Sequence, residues 1–248
     1  MSRKLCIIGA GQKYDLITLR GLDCLKKADI VLYDRLIDKK ILDFTNAEKI
    51  DVGKLPYKHG FKQVHINDTI KSFLLNDKHI VRLKGGDSTI FSRSIEEIKV
   101  ARDVGASVEI IPGVTAASST AARINCALTD RNLSSGVIFI TGHQSLENLE
   151  KEYNWKAIVQ LKMTIVIYMG IKNMGYIANR LIECSLSRET AALIAEKIEM
   201  ENERLLFVTL DKIEETIKDK KVEFPAVVII GDVLKYAFGS KEANGLLA

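Results

Sequence analysis

The apolar residues of this 248-residue chain gather in short, largely unbroken runs. KLCIIGAG (4–11), DIVLYD (29–34), HIVRLKGGD (79–87) and SVEIIPG (107–113) lack the alternation of a strand with one wet face, and the shorter KIDVG (49–53) among them reads as a further strand. A strand apolar on both sides is what a parallel sheet lying between two layers of helices requires. The intervening segments carry apolar residues at helical spacing: Leu16, Leu19, Leu22 and Leu25; then Val64, Ile66, Ile70, Phe73 and Leu74; then Ile95, Ile98, Ala101 and Val104. This succession predicts a βαβ sheet. After the small-residue helix expected in GVTAASSTAARI (113–124) the pattern restarts. GVIFITGH (136–143), TIVIYMG (164–170), TAALIAE (190–196), ERLLFVTL (203–210) and AVVIIGDV (226–233) read as five further strands. ENERLLFVTLDKI (201–213) alternates charged and apolar residues, as an antiparallel or edge strand does. Two α/β domains follow, expected over residues 1–113 and 114–248.

Composition excludes several classes of function. Hydrophobic residues at 47% and charged residues at 27% suit a globular chain with full cores. The net charge of +4 is mild, and the lysines of KKADIVLYDRLIDKK and IKDKKVEF read as solvated helix ends, so no nucleic-acid partner is expected. No apolar run approaches membrane-spanning length. MSRKLCIIGAG enters a strand directly, so no signal peptide is expected. Cys6, Cys24, Cys126 and Cys184 form no CxxC pair and read as buried reduced thiols of a cytoplasmic protein. The four histidines show no metal-ligand spacing, so no metal is expected.

The chemistry concentrates at strand ends. GAGQKY fails the dinucleotide fingerprint, because Tyr14 stands where the third glycine belongs. Gly9 and Gly11 can serve a tight turn or let backbone approach a ligand at the carboxyl end of a strand. Gly85 and Gly86 permit a left-handed backbone and close approach, and Asp87 adds a carboxylate. Ser94 and Glu97 have capping-box spacing, and Glu96 suits a first helical turn. Arg93 opposes the helix dipole there, which marks it as a clamp for a substrate carboxylate. Thr115 is expected to cap the small-residue helix. Met169, after a strand, reads on its own as a core residue.

Taken in order, these pieces resemble the uroporphyrinogen-III C-methyltransferases, within the tetrapyrrole methylases. The resemblance rests on GAG at 9–11, ADIVLYDRLI at 28–37, VGK at 52–54, VRLKGGD at 81–87, IFSR with EE at 90–97, IPGVTAASS at 111–119, ALTDR at 127–131, TGH at 141–143 and YMG at 168–170. It implies two αβα domains with the active site in the cleft between them, usually in a homodimer. It implies methyl transfer from S-adenosylmethionine to ring carbons of uroporphyrinogen III, giving precorrin-2 through precorrin-1, with S-adenosylhomocysteine as the other product. Carried over by motif, the cofactor would be held by Gly11, Gln12, Gly85, Gly86, Asp87, Ile90, Thr115, Ala116, Met169 and Ala226. Asp34 and Lys54 would take acid/base roles, and Arg93, Glu96 and Arg131 would meet the substrate.

The chain also departs from the family pattern. The usual G-x-G-P-G-D-P is one residue shorter here and has lost its proline, second glycine and aspartate, so Gln12 stands where a proline would touch the cofactor. GGDP is Gly85-Gly86-Asp87-Ser88, G-R-G-G-E-E is Ser92-Arg93-Ser94-Ile95-Glu96-Glu97, and T-H-R is Thr129-Asp130-Arg131. A later N-G-T is replaced around Lys197-Ile198, where contacts through backbone would let Ile198 serve. The altered first loop raises two alternatives, a methylase of a later precorrin and a non-catalytic binder of S-adenosylhomocysteine or a tetrapyrrole.

Overall fold

A computed structural model describes residues 3–53 and 63–238. The chain forms two compact units, Met1–Ala116 and Ala117–Ala248. In the first, strands β1 (Lys4–Gly9), β2 (Ile30–Tyr33), β3 (Glu48–Asp51), β4 (His79–Lys84) and β5 (Ser107–Ile111) form one sheet in the order β3-β2-β4-β1-β5. Every pairing in it is parallel. Helices α1 (Leu19–Lys26), α2 (Gln63–Leu75) and α3 (Ser94–Asp103) cover its faces.

Strand residues alternate between these faces with period two. Leu5, Ile7, Ile30, Leu32 and Ile80 meet Ile66, Ile70 and Leu74 of α2 and Ile98 and Ala101 of α3. Cys6, Ile8, Val31, Val81 and Leu83 meet Cys24 and Leu25 of α1. Burying each leucine or isoleucine contributes roughly 1.5–3 kcal/mol, so a strand must be apolar on both sides to hold both layers.

The leucine spacing of the first helix misleads. Leu16 lies in a short 3₁₀ turn before α1, and Leu19 is 83% exposed. The face that packs is Gly21, Cys24 and Leu25, whose i, i+3, i+4 spacing marks one side of a helix equally well. Ile95 likewise faces solvent, and α3 buries Ser94, Glu97, Ile98 and Ala101.

In the second unit α4 (Ala116–Arg123), beginning at the boundary, is followed by β6 (Val137–Thr141), α5 (Leu146–Glu152), α6 (Trp155–Gln160), β7 (Thr164–Tyr168) and α7 (Met174–Glu183). Then come β8 (Ala191–Glu196), β9 (Arg204–Thr209), α8 (Ile213–Asp219), β10 (Ala226–Ile230) and α9 (Lys235–Phe238). The sheet order is β6-β7-β10-β8-β9, with β6 and β7 parallel and the other pairs antiparallel. Interior β8 is buried at every residue, whereas β9 is the antiparallel edge strand that its charge alternation predicts. Ile165, Ile167, Ile194, Val228 and Ile230 join Met174, Ile177 and Leu181 of α7 in the core. Among the described residues no helix is long and apolar enough to cross a membrane.

Candidate functional site

The carboxyl ends of β1, β4 and β5 converge on backbone alone. Ala10 N–H donates to the Lys84 carbonyl at 2.8 Å, and Gly11 and Gly86 exchange two hydrogen bonds of 3.0 and 2.8 Å. A Cβ on Gly9 would lie 2.6 Å from Gly113 N and 2.8 Å from the Gly86 oxygen, so these segments approach closer than any side chain allows. Gly86 has φ +73°, and a Cβ there would lie 3.1 Å from Gln12 Nε2, 3.9 Å from the Val114 oxygen and 4.0 Å from Thr115 Cα. Gln12, Gly86 and Thr115 therefore meet around one bare, buried backbone position. Gly85 is closed by Leu36, whose Cβ lies 3.0 Å from where its own Cβ would stand.

Asp87 braces this junction. Its Oδ2 accepts from Gly113 N–H at 2.9 Å and its Oδ1 from Thr89 N–H at 2.6 Å, with the Thr89 hydroxyl also bonded to Oδ1. Ile90 follows half-buried, and Phe91 and Arg93 both take left-handed φ, at 48° and 56°. Two such non-glycine residues within three positions are uncommon and cluster at binding loops.

The same strand carries a buried charge network. Arg82 is 2% exposed and Glu97 0%. Arg82 Nε donates to Glu97 Oε1 at 3.1 Å, and its Nη2 pairs with Asp34 Oδ1. Lys84 Nζ lies 3.0 Å from Glu97 and donates to the Ser92 carbonyl at 2.7 Å, while Gln63 Nε2 donates to Glu97 Oε1 at 3.3 Å. Burial works against the charge of Arg82, but Asp34 and Glu97 outweigh it and raise its pKa. Lys84 goes the other way: burial, then the neighbouring Arg82 cation, lowers it. Asp34 is the network's outer end, anchored by its N–H to the Leu83 carbonyl at 3.1 Å and with its side chain one-third exposed.

This network corrects the capping-box reading. Arg93, in the left-handed region, is the N-cap of α3, and Ser94 is the first helical residue. Ser94 Oγ donates to the Ser88 carbonyl at 2.7 Å, and Glu97 turns inward to Arg82 and Lys84. Charge complementarity in a dry interior outweighs one capping bond worth about 1 kcal/mol. The overlooked signal was Arg82 and Lys84 themselves. Two cations on one face of an otherwise apolar interior strand demand a buried anion. Arg93 and Glu96 pair outside the network by two bonds of 2.7 and 2.8 Å, with side chains 51% and 43% exposed.

In the second unit the strand ends again meet. Gly142 N–H donates to the Tyr168 carbonyl at 2.8 Å, and a Cβ on Gly142 would strike Gly170 Cα at 2.4 Å. Asn173 Nδ2 ties the loop after β6 with bonds of 2.7 and 2.9 Å to the Gly142 and Gln144 carbonyls. Met169 is no core residue: it takes φ 54° and is 49% exposed, because the two glycines turn the backbone outward there. Val227 pairs with Tyr168, so Ala226 and Met169 fall at the same end of the sheet. Ala226 also pairs with Glu196, which brings Lys197 and Ile198 there; Ile198 is buried and Lys197 left-handed. Ala116 opens α4, and the next residue's N–H donates to Tyr168 Oη at 3.2 Å.

Two residues stand apart. Arg131 is exposed, on a turn closed by the Asp130–Ser134 bridge. Ser134 Oγ accepts from Thr164 N–H at 2.7 Å, which fixes that turn at the amino end of β7, opposite Met169. Lys54 lies outside the described residues.

The pattern of the Tetrapyrrole (Corrin/Porphyrin) Methylases matches residues 4–214. The chain is 37% identical over 238 residues to the uroporphyrinogen-III C-methyltransferase of Bacillus subtilis (strain 168), covering 95% of this chain and 92% of that protein. It is 37% identical to the siroheme synthase of Baumannia cicadellinicola subsp. Homalodisca coagulata, covering 93% of this chain and 50% of that longer protein. Among solved structures, the uroporphyrin-III C-methyl transferase of Thermus thermophilus complexed with S-adenyl homocysteine matches with a TM-score of 0.73 at 29% identity, covering 94% of this chain and 99% of that one.

Proposed function

The chain belongs to the tetrapyrrole methylases, and from that premise we propose that it methylates ring carbons of uroporphyrinogen III with S-adenosylmethionine, through precorrin-1 to precorrin-2, on the sirohaem and cobalamin branch. The observation that carries this is the similarity to a uroporphyrinogen-III C-methyltransferase over 92% of that protein's length. The residues present fit the methyl donor. Gly86 offers bare backbone in the left-handed region beside Gln12 and Thr115, and Met169 stands outward on a turned backbone where a core residue would be buried. With these, Gly11, Gln12, Gly85, Asp87, Ile90, Thr115, Ala116 and Ala226 make up the holding set.

S-adenosylmethionine supplies a methyl group made electrophilic by its sulfonium charge. The acceptor is an electron-rich pyrrole carbon, so the chain's contribution is orientation and proton handling. Arg82 fixes Asp34 through Oδ1. The Asp34 carboxylate, one-third exposed, takes up the proton lost from the methylated carbon, with Lys54 as the second acid/base group. Arg93 binds a substrate carboxylate by exchanging it for Glu96. The exchange costs little, because an exposed ion pair is worth about 0–1 kcal/mol. Arg131, carried over by motif as a substrate contact, stands at the amino end of β7, opposite Met169, so no substrate contact is assigned to it.

Incubation of purified protein with S-adenosylmethionine and uroporphyrinogen III, read by mass spectrometry, tests the proposal: singly and then doubly methylated product is expected. Methylation of a later precorrin alone would reassign the substrate, and S-adenosylhomocysteine binding without turnover would leave a binding module. Arg93→Ala is expected to raise the tetrapyrrole KM by about 10- to 100-fold, the value of one charged hydrogen-bond pair, and to leave S-adenosylhomocysteine affinity unchanged. Equal loss of both would make Arg93 a structural residue.

The reading includes a homodimer in a reducing cytoplasm. The four cysteines, all free and with Cys6 and Cys24 buried, support that compartment, and sedimentation of the purified protein tests the dimer.

A further inference from the structure

At the opposite end of the first sheet from the glycine junction, three soft or borderline donors meet. Cys6 lies on β1, Cys24 on α1 and His79 at the start of β4. Their ligand atoms all lie within 4.8 Å of one another. Cys24 Sγ is 3.8 Å from His79 Nε2. In a tetrahedral zinc site, bonds of about 2.3 Å to sulfur and about 2.0–2.1 Å to nitrogen place neighbouring donors roughly 3.5–3.8 Å apart. The protein spacing thus needs only small adjustment around an ion.

The imidazole is already turned for ligation. His79 Nδ1 lies 2.9 Å from the Lys27 carbonyl, which can only accept, so Nδ1 carries a proton and Nε2 faces the sulfurs. His79 N–H donates to Asp29 Oδ2 at 2.7 Å, which fixes the backbone. Cys6 is fully buried and Cys24 nearly so, while half-buried His79 gives an ion a way in. Glu109 Oε2 lies 3.6 Å from Cys6 Sγ but is held by Lys4 Nζ at 2.7 Å, which leaves three protein donors and one position for water.

We propose that Cys6, Cys24 and His79 bind a single borderline-soft divalent cation of the Zn²⁺ class, tying α1 to the two strands whose far ends carry Gly9 and Gly86. Its entry releases protons from the thiols to solvent. The site is independent of the methyl donor and its role is structural. A search for short ligand spacings in the sequence misses it, because the donors come from three separate elements.

The test uses full-length protein, reduced, stripped of metal and kept anaerobic, titrated with Co²⁺. One equivalent should bind with a thiolate-to-cobalt charge-transfer absorption that Zn²⁺ displaces, and Zn²⁺ should raise Tm. Cys24→Ser and His79→Gln should each weaken binding at least about 100-fold and abolish the Tm rise. A double variant, Cys126→Ser with Cys184→Ser, should keep both. If Cys24→Ser fails to fold, the more accessible His79→Gln decides. Absence of the charge-transfer band, unchanged affinity in His79→Gln, or loss of binding in the Cys126/Cys184 double variant would each overturn the site.

Discussion

Glu97→Gln is expected to destabilise the first unit by about 3–5 kcal/mol, although the two side chains have the same shape. Glu97 is fully buried and answers both Arg82 and Lys84. Neutralising it leaves two cations in a dry interior with only Asp34, itself one-third exposed, as counter-ion. Glu96→Gln is the comparison, one residue away but in a half-exposed pair, and should cost less than about 1 kcal/mol. Denaturant unfolding reads both, and a Glu97→Gln protein within about 1 kcal/mol of wild type would mean that the network is not a source of stability.

The same variant has a pH signature. The folded-state pKa of Lys84 is lowered from the ordinary 10.5 by burial and by Arg82. Between that lowered value and 10.5 the unfolded chain binds more protons than the folded one, so Lys84's contribution to stability rises with pH in this window. Without Glu97 to favour its charge, the folded-state pKa of Lys84 falls further and the window widens. The stability gap between Glu97→Gln and wild type should therefore narrow as pH rises from 7 toward 10. A gap that holds or widens would show that Lys84 stays charged without Glu97.

Gly86→Val should weaken S-adenosylhomocysteine binding at least about 100-fold, or about 2.8 kcal/mol, in calorimetric titration. Two effects add. The backbone sits at φ +73°, where a β-branched residue is strained, and the new side chain would crowd Gln12 Nε2 and press toward Val114 and Thr115 at the junction. Gly105→Val separates them. Gly105 has φ +70° with nothing within 4 Å of its would-be Cβ, so it carries the same strain away from the candidate site. It should lose stability and keep its affinity. Matching losses in both variants would attribute the Gly86 effect to folding, and retained affinity in Gly86→Val would remove Gly86 from the donor site.

The strands and their order of appearance were legible because unbroken apolar runs are a direct consequence of burial on two faces. β1, β4 and β5 fall within the segments read for them, and charge alternation identified β9 as an edge. The glycines at the strand ends were legible for a related reason, since glycine alone tolerates the backbone approach found at Gly9 and Gly113 and readily takes the φ of +73° at Gly86. Helix faces were read less well. Of the leucines that read as one stripe, Leu19 faces solvent while Leu25 packs with Gly21 and Cys24, because the spacing of a single short helix admits more than one buried side.

By itself the sequence determined which segments are strands, that the first sheet is parallel, and where backbone can come close, because each is a property of neighbouring residues. The tertiary structure decided which charges are buried and which donors meet. Arg82 finds Asp34 across 48 residues, and Cys24 finds His79 across 55. Such partners are set by the strand order β3-β2-β4-β1-β5 and by the faces that the helices cover. The cost of leaving a charge unpaired away from water, which turned Glu97 inward and away from its capping role, acts only once those faces have closed.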